Sequence, residues 1–308
     1  MTSPNTLGEY LRARRELVDP RDVGLHVAGV RRTPGLRREE VATLAGISAD
    51  YYLRLEQGRD RNPSPPVLTA LARVLGLDQT ATSYLLSVAA SRPARTRAKA
   101  GRQETVPASI RQLISAINVP AFVESRRFDV LAANPRATAL SPSIRPGENR
   151  LRSMFLDPAE RELYPDWPKA IVGMIASFRA SIGPDADDPR IAQLVGELSL
   201  ASESFRKLWA RHDVRALSGG AVTMNHPEAG PLALWREKLP VGDSGGQVLV
   251  IYHAEPGSDS ARALERLCSA APATAAPATA DLGASALTGP ASAVGATEAR
   301  SQAPRKRG

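Results

Sequence analysis

Cysteine, closely spaced histidines and long apolar runs are scarce in this chain, and each scarcity excludes a class of protein. The single cysteine, Cys268, has no partner for an internal disulfide or a multi-cysteine metal site. The 4 histidines are not spaced as metal ligands, so we expect no metal and no cofactor. No run reaches the roughly 18 apolar residues of a membrane span, and residues 1–8 lack the basic-then-apolar pattern of a secretory signal. We therefore expect a cytoplasmic protein with no membrane partner.

Charge is distributed unevenly along the chain. The formal net charge is +8, from 40 Lys and Arg against 32 Asp and Glu. Residues 1–105 hold 17 basic and 11 acidic side chains, whereas the rest of the chain holds 23 and 21. A basic excess concentrated in one part of a protein is typical of a nucleic-acid partner, although it does not require one. The first third is therefore the expected position of a nucleic-acid interface.

Composition and turn signals divide the 308 residues into four segments, consistent with about two domains. Residues 1–90 alternate short helical patterns with turns and predict an all-α domain of five helices. Residues 91–106 are polar and basic, as in a linker. Residues 107–270 mix strand-like and helix-like stretches. Residues 271–308 are rich in Ala and Pro and contain too few large apolar side chains to offset their ordering entropy, which predicts a disordered tail.

Within the first segment, two short helical patterns are joined by a tight turn. One helix is predicted to start near Leu36 and to stop at Gly46, and Ser48 caps the next helix, which ends at Gly58. Two short helices joined in this way cross steeply and present the second helix as a rod that fits the DNA major groove. Leu36–Gly58 therefore predicts a helix-turn-helix.

The outer face expected for the second of these helices carries side chains that suit DNA. Asp50 and Arg54 lie one turn apart, so both can meet base edges. Arginine binds guanine O6 and N7, and aspartate accepts from cytosine N4. The amides at the Ser48 end and the flanking arginines suit phosphates. The predicted DNA-binding residues are Arg37, Arg38, Ser48, Ala49, Asp50, Tyr51, Arg54, Gln57 and Arg59.

A different class of protein would share much of this pattern. A helical adaptor that binds another protein, such as an antitoxin-like partner, would also contain a small bundle with solvated arginines. The order of turn glycine, cap, Leu55-Glu56-x-Gly58 ending and flanking arginines favours DNA. A gene for a small toxin directly adjacent would favour the adaptor.

Leu36–Gly58 resembles the Cro/C1-type, or Xre-family, helix-turn-helix. The longer run 6–77 resembles the actinobacterial branch of that family, with its long first connection. The resemblance implies that Glu56 forms an ion pair with Arg15 and is therefore a structural residue. It assigns contacts with DNA to Ala49, Asp50, Arg54 and, near the DNA backbone, Arg38.

The second large segment has strands at both ends and helices between them. This arrangement favours an α+β class, with an antiparallel sheet and helices on one side. Residues 120–132 predict two short strands about a polar turn. Further strands are predicted at 221–226, 232–239 and 247–253, and helices at 151–156, 157–182, 188–199, 203–214 and 259–270.

Four stretches of this segment resemble the MmyB-like ligand-binding domain that accompanies this helix-turn-helix in actinobacteria. They are FLDPAERELYPDW, DPRIAQLVGELSLASESFRKLWARHDV, HPEAGPLAL and IYHAEPGSDSARALERL. The resemblance implies a PAS-like fold with a pocket for a small hydrophobic, fatty-acid-like ligand. Any single apolar side chain on a helical face can equally be an ordinary core residue rather than part of a ligand pocket. The candidate pocket residues are Phe122, Trp167, Ile171, Ile175, Phe178, Leu198, Phe205 and Trp209.

Residues 242–246 spell GDSGG, the sequence around the nucleophile of chymotrypsin-like proteases. That chemistry needs a serine, a histidine base and an orienting acid that converge in space. Residues 107–270 are too short and too helical for two β-barrels, and Gly, Asp and Ser between two strand patterns are typical of a hairpin loop. We therefore expect no catalytic residues, with a serine hydrolase using Ser244 as the alternative. His212 and Asp213 are expected to end a helix and to pack, since adjacent helical residues point about 100° apart.

These patterns together predict a transcriptional regulator on the nucleoid. Its expected partners are a double-stranded DNA operator, a small hydrophobic ligand and a second copy of itself. A homodimer is expected because two-fold operators normally match two-fold proteins.

Overall fold

The computed structural model describes residues 5–26, 31, 34–60, 62–90, 104–183, 188–216, 218–242 and 244–270. The predicted disordered tail, 271–308, and residues 91–103 of the predicted linker lie outside these ranges. The domain boundaries drawn from composition stay predictions; Val106, at the end of the predicted linker, is buried against the sheet described below. No helix within the described ranges is both long and apolar enough to cross a bilayer.

The part of the chain described before residue 91 folds into five α-helices, close to where caps and glycines predict them. The Asn5 side chain caps the first helix by accepting from Gly8 N, and Ser48 caps the third by accepting from Tyr51 N, both at 3.1 Å. Gly46 ends the second helix at φ 69°, a left-handed conformation that costs glycine least. The helices are α1 (Thr6–Leu17), α2 (Arg38–Ala45), α3 (Ala49–Glu56), α4 (Pro65–Val74) and α5 (Gln79–Ala90), and a 3-10 turn, Pro20–Val23, follows α1.

These helices enclose one apolar cluster. Tyr10 and Leu11 of α1 are fully buried in it, as are Tyr52 and Leu55 of α3. Removing a large apolar side chain from water stabilises a fold by about 1.5–3 kcal/mol. Because α1 and α3 both contribute side chains to this cluster, it holds α3 by its inner face and leaves the opposite face outward.

The second part of the described chain contains eight further helices and five strands. The helices are α6 (Ala108–Ala116), α7 (Pro135–Leu140), α8 (Arg150–Leu156), α9 (Pro158–Glu162), α10 (Trp167–Ile182), α11 (Pro189–Ala201), α12 (Glu203–Ala210) and α13 (Asp259–Ala270). The strands are β1 (Ala121–Glu124), β2 (Val130–Ala133), β3 (Gly220–His226), β4 (Gly230–Pro240) and β5 (Val248–His253).

The five strands form one antiparallel sheet in the order β2-β1-β5-β4-β3. The first and last strands in the chain order meet at the centre, where Phe122 pairs with Val250. The hairpin of β3 and β4 then extends the sheet, with Val222 opposite Leu234. The α+β class with an antiparallel sheet is therefore confirmed.

The expectation that helices cover only one side of this sheet is wrong. Phe122 and Val250 point into a cluster with α7, α10 and α13. Their neighbours Val123 and Leu249 point to the other face, where Ile114 of α6 packs on them. Both faces of β1 and β5 are apolar, so both need a cover.

Two predicted helices differ in extent from those observed, and two observed helices, α6 and α7, were not predicted. The expected helix 157–182 is broken into α9 and α10, and Asp166 caps α10 by accepting from Lys169 N at 3.2 Å. The expected helix 203–214 ends at Ala210, and His212 then adopts φ 53°. Helix α7 escaped prediction because it is only 6 residues long; Asn134 caps it and also binds the loop before β1.

Candidate functional site

Every predicted DNA-contact residue lies on the surface of the helix-turn-helix. The side of α3 opposite the apolar cluster is exposed from its cap to its end, whereas Tyr52, Leu55 and Glu56 on the inner side are buried. This division follows from a helical repeat that returns to the same face every three or four residues. The exposed residues are Arg37, Arg38, Ser48, Ala49, Asp50, Arg54, Gln57 and Arg59, and Tyr51 is half-buried.

Arg54 and Asp50 form an ion pair one turn apart on the exposed face of α3. The Arg54 guanidinium also lies over the Tyr51 ring, 5.8 Å from its centroid. The side chains of Arg54 and Asp50 are 44% and 71% exposed, and an exposed ion pair at this spacing contributes only about 0.3–0.5 kcal/mol to stability. A bidentate contact with a base discriminates by about 1–3 kcal/mol, so a base can replace Asp50 as the partner of Arg54.

Glu56, at the end of α3, accepts from two arginines. Arg15 Nε donates to Glu56 Oε1 at 2.6 Å, the pair that the family resemblance implied. Arg38 Nε donates to Glu56 Oε2 at 2.7 Å. The sequence predicted that Arg38 contacts a DNA phosphate. In the structure Arg38 forms an ion pair with Glu56, and 43% of its side chain remains exposed.

Two residues that sequence reasoning missed bring α1 against the end of α3. Asn5 Nδ2 donates to the Glu56 carbonyl at 2.6 Å. Gly8 lies so close that an added Cβ would stand 2.2 Å from the same carbonyl. A glycine is therefore required here, because α1 and the end of α3 approach too closely for any side chain. Helical periodicity in the sequence does not reveal such a contact.

Glu40 fixes the start of α2 and was also missed. Its carboxylate accepts from Arg37 N at 2.6 Å and from Arg31 Nη2 at 2.6 Å. The hydrogen bond from Arg31 outweighs the opposing effect of burial and lowers the pKa of Glu40. The capping carboxylate three residues into a helix is a recognisable sequence signal.

The eight candidate pocket residues fall into two adjoining apolar clusters. Phe122, Ile171 and Trp167 belong to the cluster on the sheet. The others belong to a helical cluster built by α8, α10, α11 and α12, in which Phe178 and Phe205 are fully buried. The members in the helical cluster are Ile175, Phe178, Leu198, Phe205 and Trp209.

Three half-buried side chains, Phe155, Met174 and Leu208, pack against both clusters and mark a seam between them. The Phe155 ring lies 5.9 Å from the ring of Trp167. Trp167 also lines an open surface groove of about 430 Å³. The other residues that line the groove are Pro158, Arg161, Glu162, Tyr164, Pro165 and Pro168.

Ser244 of the GDSGG run lies in the hairpin loop between β4 and β5. Its hydroxyl donates to Val241 O at 2.6 Å and accepts from Gln247 N at 3.1 Å, so it closes the turn. His226 accepts from two backbone amides and reaches Ala139 O, and His212 accepts from Arg179. Within the described residues no histidine hydrogen-bonds to Ser244, in agreement with the hairpin interpretation.

Two family models match this chain. A helix-turn-helix domain matches residues 6–85, and the MmyB-like transcription regulator ligand binding domain matches residues 106–267. A curated relative, the uncharacterized HTH-type transcriptional regulator y4dJ of Sinorhizobium fredii (strain NBRC 101917 / NGR234), is 46% identical over 55 residues, which are 18% of this chain and 70% of the relative.

The matches agree with the geometry in both halves of the chain. The helix-turn-helix model covers α1 to α4, with the exposed α3, and the first part of α5; the ligand-binding model covers the sheet, α6 to α12 and most of α13. The second match alone spans more than half of the chain. The protein therefore belongs to the family of transcription regulators with an MmyB-like ligand-binding domain, and carries its DNA-binding helix-turn-helix at the N-terminal side.

Proposed function

We propose that this regulator binds a specific double-stranded operator by inserting α3 into the major groove. The observation that carries the proposal is the continuous exposed face from Ser48 to Arg59. The opposite face of α3, with Tyr52 and Leu55, is fully buried and fixes the helix in the domain. Asp50 and Arg54 read bases, with Ala49 and Gln57 beside them. The amides at the Ser48 end of α3 receive a phosphate, and Arg37 and Arg59 steady the DNA backbone on either side.

We propose further that two copies bind together, on the nucleoid in the cytoplasm. One helix-turn-helix reads only a few base pairs, and a two-fold pair places two recognition helices about 34–36 Å apart, one turn of DNA. An operator with two inverted half-sites at that spacing is the expected result of a selection from random DNA.

Replacing Arg54 with alanine is expected to weaken operator binding by about 5- to 150-fold, the equivalent of 1–3 kcal/mol for one lost bidentate base contact. Because Arg54 is exposed and its ion pair with Asp50 is weak, the fold is expected to remain intact. The measurement is a salt-controlled fluorescence anisotropy titration on the selected operator and on its variants at each base pair.

The matched control is Arg73→Ala, which removes the same charge from an exposed position at the end of α4. It is expected to change operator affinity by less than about threefold, through long-range electrostatics alone. Equal losses for Arg54→Ala on the operator and on random DNA would assign Arg54 to a phosphate and contradict base reading.

For the second domain we propose a small hydrophobic ligand with a fatty-acid-like chain. The seam of Phe155, Met174 and Leu208 supports this, because its apolar side chains adjoin both clusters without being fully covered. Methionine is adaptable, so the seam can widen around an alkyl chain. The groove at Trp167 offers the entrance, since the Trp167 ring contacts Phe155.

Replacing Met174 with phenylalanine is expected to stiffen the seam and to lower affinity for fluorescent palmitate analogues by about tenfold or more, since overpacking costs about 1–3 kcal/mol. The control is Val172→Phe on the same helix, at a position 39% exposed and outside the seam. Mass spectrometry of the protein denatured after purification identifies any ligand retained from the cell. Equal affinity of Met174→Phe and Val172→Phe for the palmitate analogue would show that the ligand does not bind at Met174.

A further inference from the structure

Two adjacent arginines of α1 have partners in different parts of the molecule. Arg15 binds Glu56 at the end of α3. Arg14 Nη1 binds Asp213 Oδ1 at 2.9 Å, beyond the end of α12 in the ligand-binding domain. Neighbouring helical residues point about 100° apart, so one short stretch of α1 contacts both the recognition helix and the second domain.

A buried arginine of the ligand-binding domain, Arg179, also contributes to the contact between the two domains. Arg179 is only 3% exposed and lies over the Trp209 ring, 3.7 Å from its centroid. It donates to Trp209 O at 2.5 Å and to His212 Nδ1 at 3.2 Å. The hydroxyls of Tyr84 and Tyr10, which belong to the helix-turn-helix domain, and the carboxylate of Asp213 also act electrostatically on this guanidinium. Within the described residues no carboxylate forms an ion pair with Arg179, and burying a guanidinium in this way is costly, so these polar contacts are needed to hold it.

The loop after α12 is anchored in both domains. Its His212 ring lies 6.4 Å from the Tyr10 ring, edge to face, and Val214 packs against the apolar cluster of the helix-turn-helix domain. Arg215 N donates to Ala176 O of α10 at 3.1 Å. Burial, reinforced by Arg179 and Arg14, lowers the pKa of His212 to about 3, so the imidazole stays neutral and accepts from Arg179 near neutral pH.

The same loop adjoins the proposed ligand seam. Trp209 stacks on Phe205 with ring centroids 5.8 Å apart, and Phe205 contacts Phe155 of the seam at 5.3 Å. A ligand that moves Phe155 therefore moves the rings on which Arg179 and the loop rest. Close-packed protein interiors transmit displacement because they contain little free volume.

We propose that Arg14, Arg179, His212 and Asp213 form a junction through which the ligand-binding domain controls the recognition helix. The route runs from the aromatic rings to Arg179 and the loop, then across the Arg14–Asp213 pair to α1, and through Arg15 to Glu56 of α3. The proposal deepens the proposed function and rests on it, since it assigns the means of control to sites already described.

The first test needs neither ligand nor DNA. Hydrogen exchange is measured by mass spectrometry on the full chain for α3 and for residues 211–216. Arg14→Gln and Asp213→Asn are each expected to speed exchange in both segments by about fivefold, the factor for a partly buried interaction of roughly 1 kcal/mol. Asp213→Asn also removes the pair that Asp213 makes with Arg211 at 2.9 Å, whereas Arg14→Gln removes only the pair with Asp213. The double variant is therefore expected to match Asp213→Asn, because the Arg14–Asp213 pair is already lost in that variant.

Arg12→Gln is the matched control, since Arg12 lies on the same helix, is 63% exposed and pairs with Glu16 only one turn away. It removes the same charge and is expected to leave exchange in both segments unchanged. Equal exchange in Arg12→Gln and Arg14→Gln, or additive effects in the double variant, would overturn the junction.

The second test adds the selected operator. DNA binding is expected to slow exchange in residues 211–216 of the native chain and to have no such effect in Arg14→Gln, which still binds DNA within about threefold of Arg12→Gln. Slowing that persists in Arg14→Gln would also overturn the proposal. If no operator is recovered, the proposed DNA recognition fails, while the first test still decides whether Asp213 and α3 are coupled.

Discussion

Replacing Glu56 with glutamine is expected to lower the free energy of unfolding of the helix-turn-helix domain by about 3–5 kcal/mol, because it removes the buried carboxylate that accepts directly from the buried Arg15 and leaves only the longer, half-exposed pair with Glu16 at 3.7 Å. The side chains of Arg15 and Glu56 are 7% and 2% exposed, so water does not replace the lost carboxylate. The hydrogen bond from Arg15 Nη1 to Leu36 O survives, but a carbonyl does not neutralise a buried cation.

The effect on function follows from the position of Glu56. It joins the end of α3 to α1 through Arg15 and to α2 through Arg38, so its loss loosens the two helices against which α3 is oriented. A small domain has only about 5–15 kcal/mol of stability, so most operator binding is expected to be lost near 37 °C. A fall in melting temperature of more than about 10 °C is expected by circular dichroism.

Glu39→Gln is the control for this substitution. Glu39 carries the same charge in the same domain but is exposed, near the start of α2. Its loss is expected to change stability by no more than about 0.5–1 kcal/mol, the size of a helix-dipole contribution. A Glu56→Gln variant as stable as Glu39→Gln would mean that Arg15 is satisfied by the Leu36 carbonyl and by Glu16, whose Oε1 lies 3.7 Å from Arg15 Nη2.

Replacing Glu160 with glutamine is expected to destabilise the ligand-binding domain by a similar amount, about 3–5 kcal/mol. Glu160 Oε1 lies 2.8 Å from Arg150 Nη2, with side chains 1% and 4% exposed. The hydroxyls of Ser141 and Ser143 donate to Glu160 Oε2 at 2.5 and 2.7 Å. Glutamine keeps the shape but leaves the Arg150 charge buried and uncompensated. Urea unfolding followed by tryptophan fluorescence measures the loss, since Trp167, Trp209 and Trp235 all lie in this domain.

The same cluster predicts a pH dependence. Burial opposes ionisation of Glu160, but Arg150 and the two serine hydroxyls outweigh it and lower the pKa of this carboxyl. A carboxyl whose pKa is lower in the folded state stabilises fully above its unfolded pKa, about 4.3, and loses that contribution as pH falls through the folded value. The native domain is therefore expected to lose stability below about pH 4.

Glu160→Gln is expected to show a shallower acid limb, because the titrating group is gone. The control is Glu162→Gln, two residues along on α9, where the carboxylate is exposed. It is expected to follow the native chain at every pH. Acid limbs of equal slope in the native chain and in Glu160→Gln would contradict this assignment.

Local elements followed from the sequence wherever a local signal marked them. Gly46, Ser48 and Gly58 bound the helix-turn-helix because caps and left-handed turns depend on the residue itself. The strands near 121–124 and 130–133 followed from apolar runs about a polar turn. Elements held by distant contacts were harder to predict: α7 depends on Asn134, which reaches across to Val119 O at 2.8 Å.

The sequence by itself determined that α3 exists, which of its faces is polar and which side chains on that face suit DNA. Only the tertiary structure decided how the arginines of this domain are used. Arg15 and Arg38 are held by Glu56, Arg14 is held by Asp213, and Arg54 keeps only a weak exposed partner. Spacing along the chain predicts which residues share a helix face, but Coulomb attraction depends on distance through space and on burial. The scarcity of cysteine and of apolar runs could therefore exclude classes of protein from the sequence alone. Which arginines remain available for DNA depends on the fold, because the fold sets their distances to carboxylates.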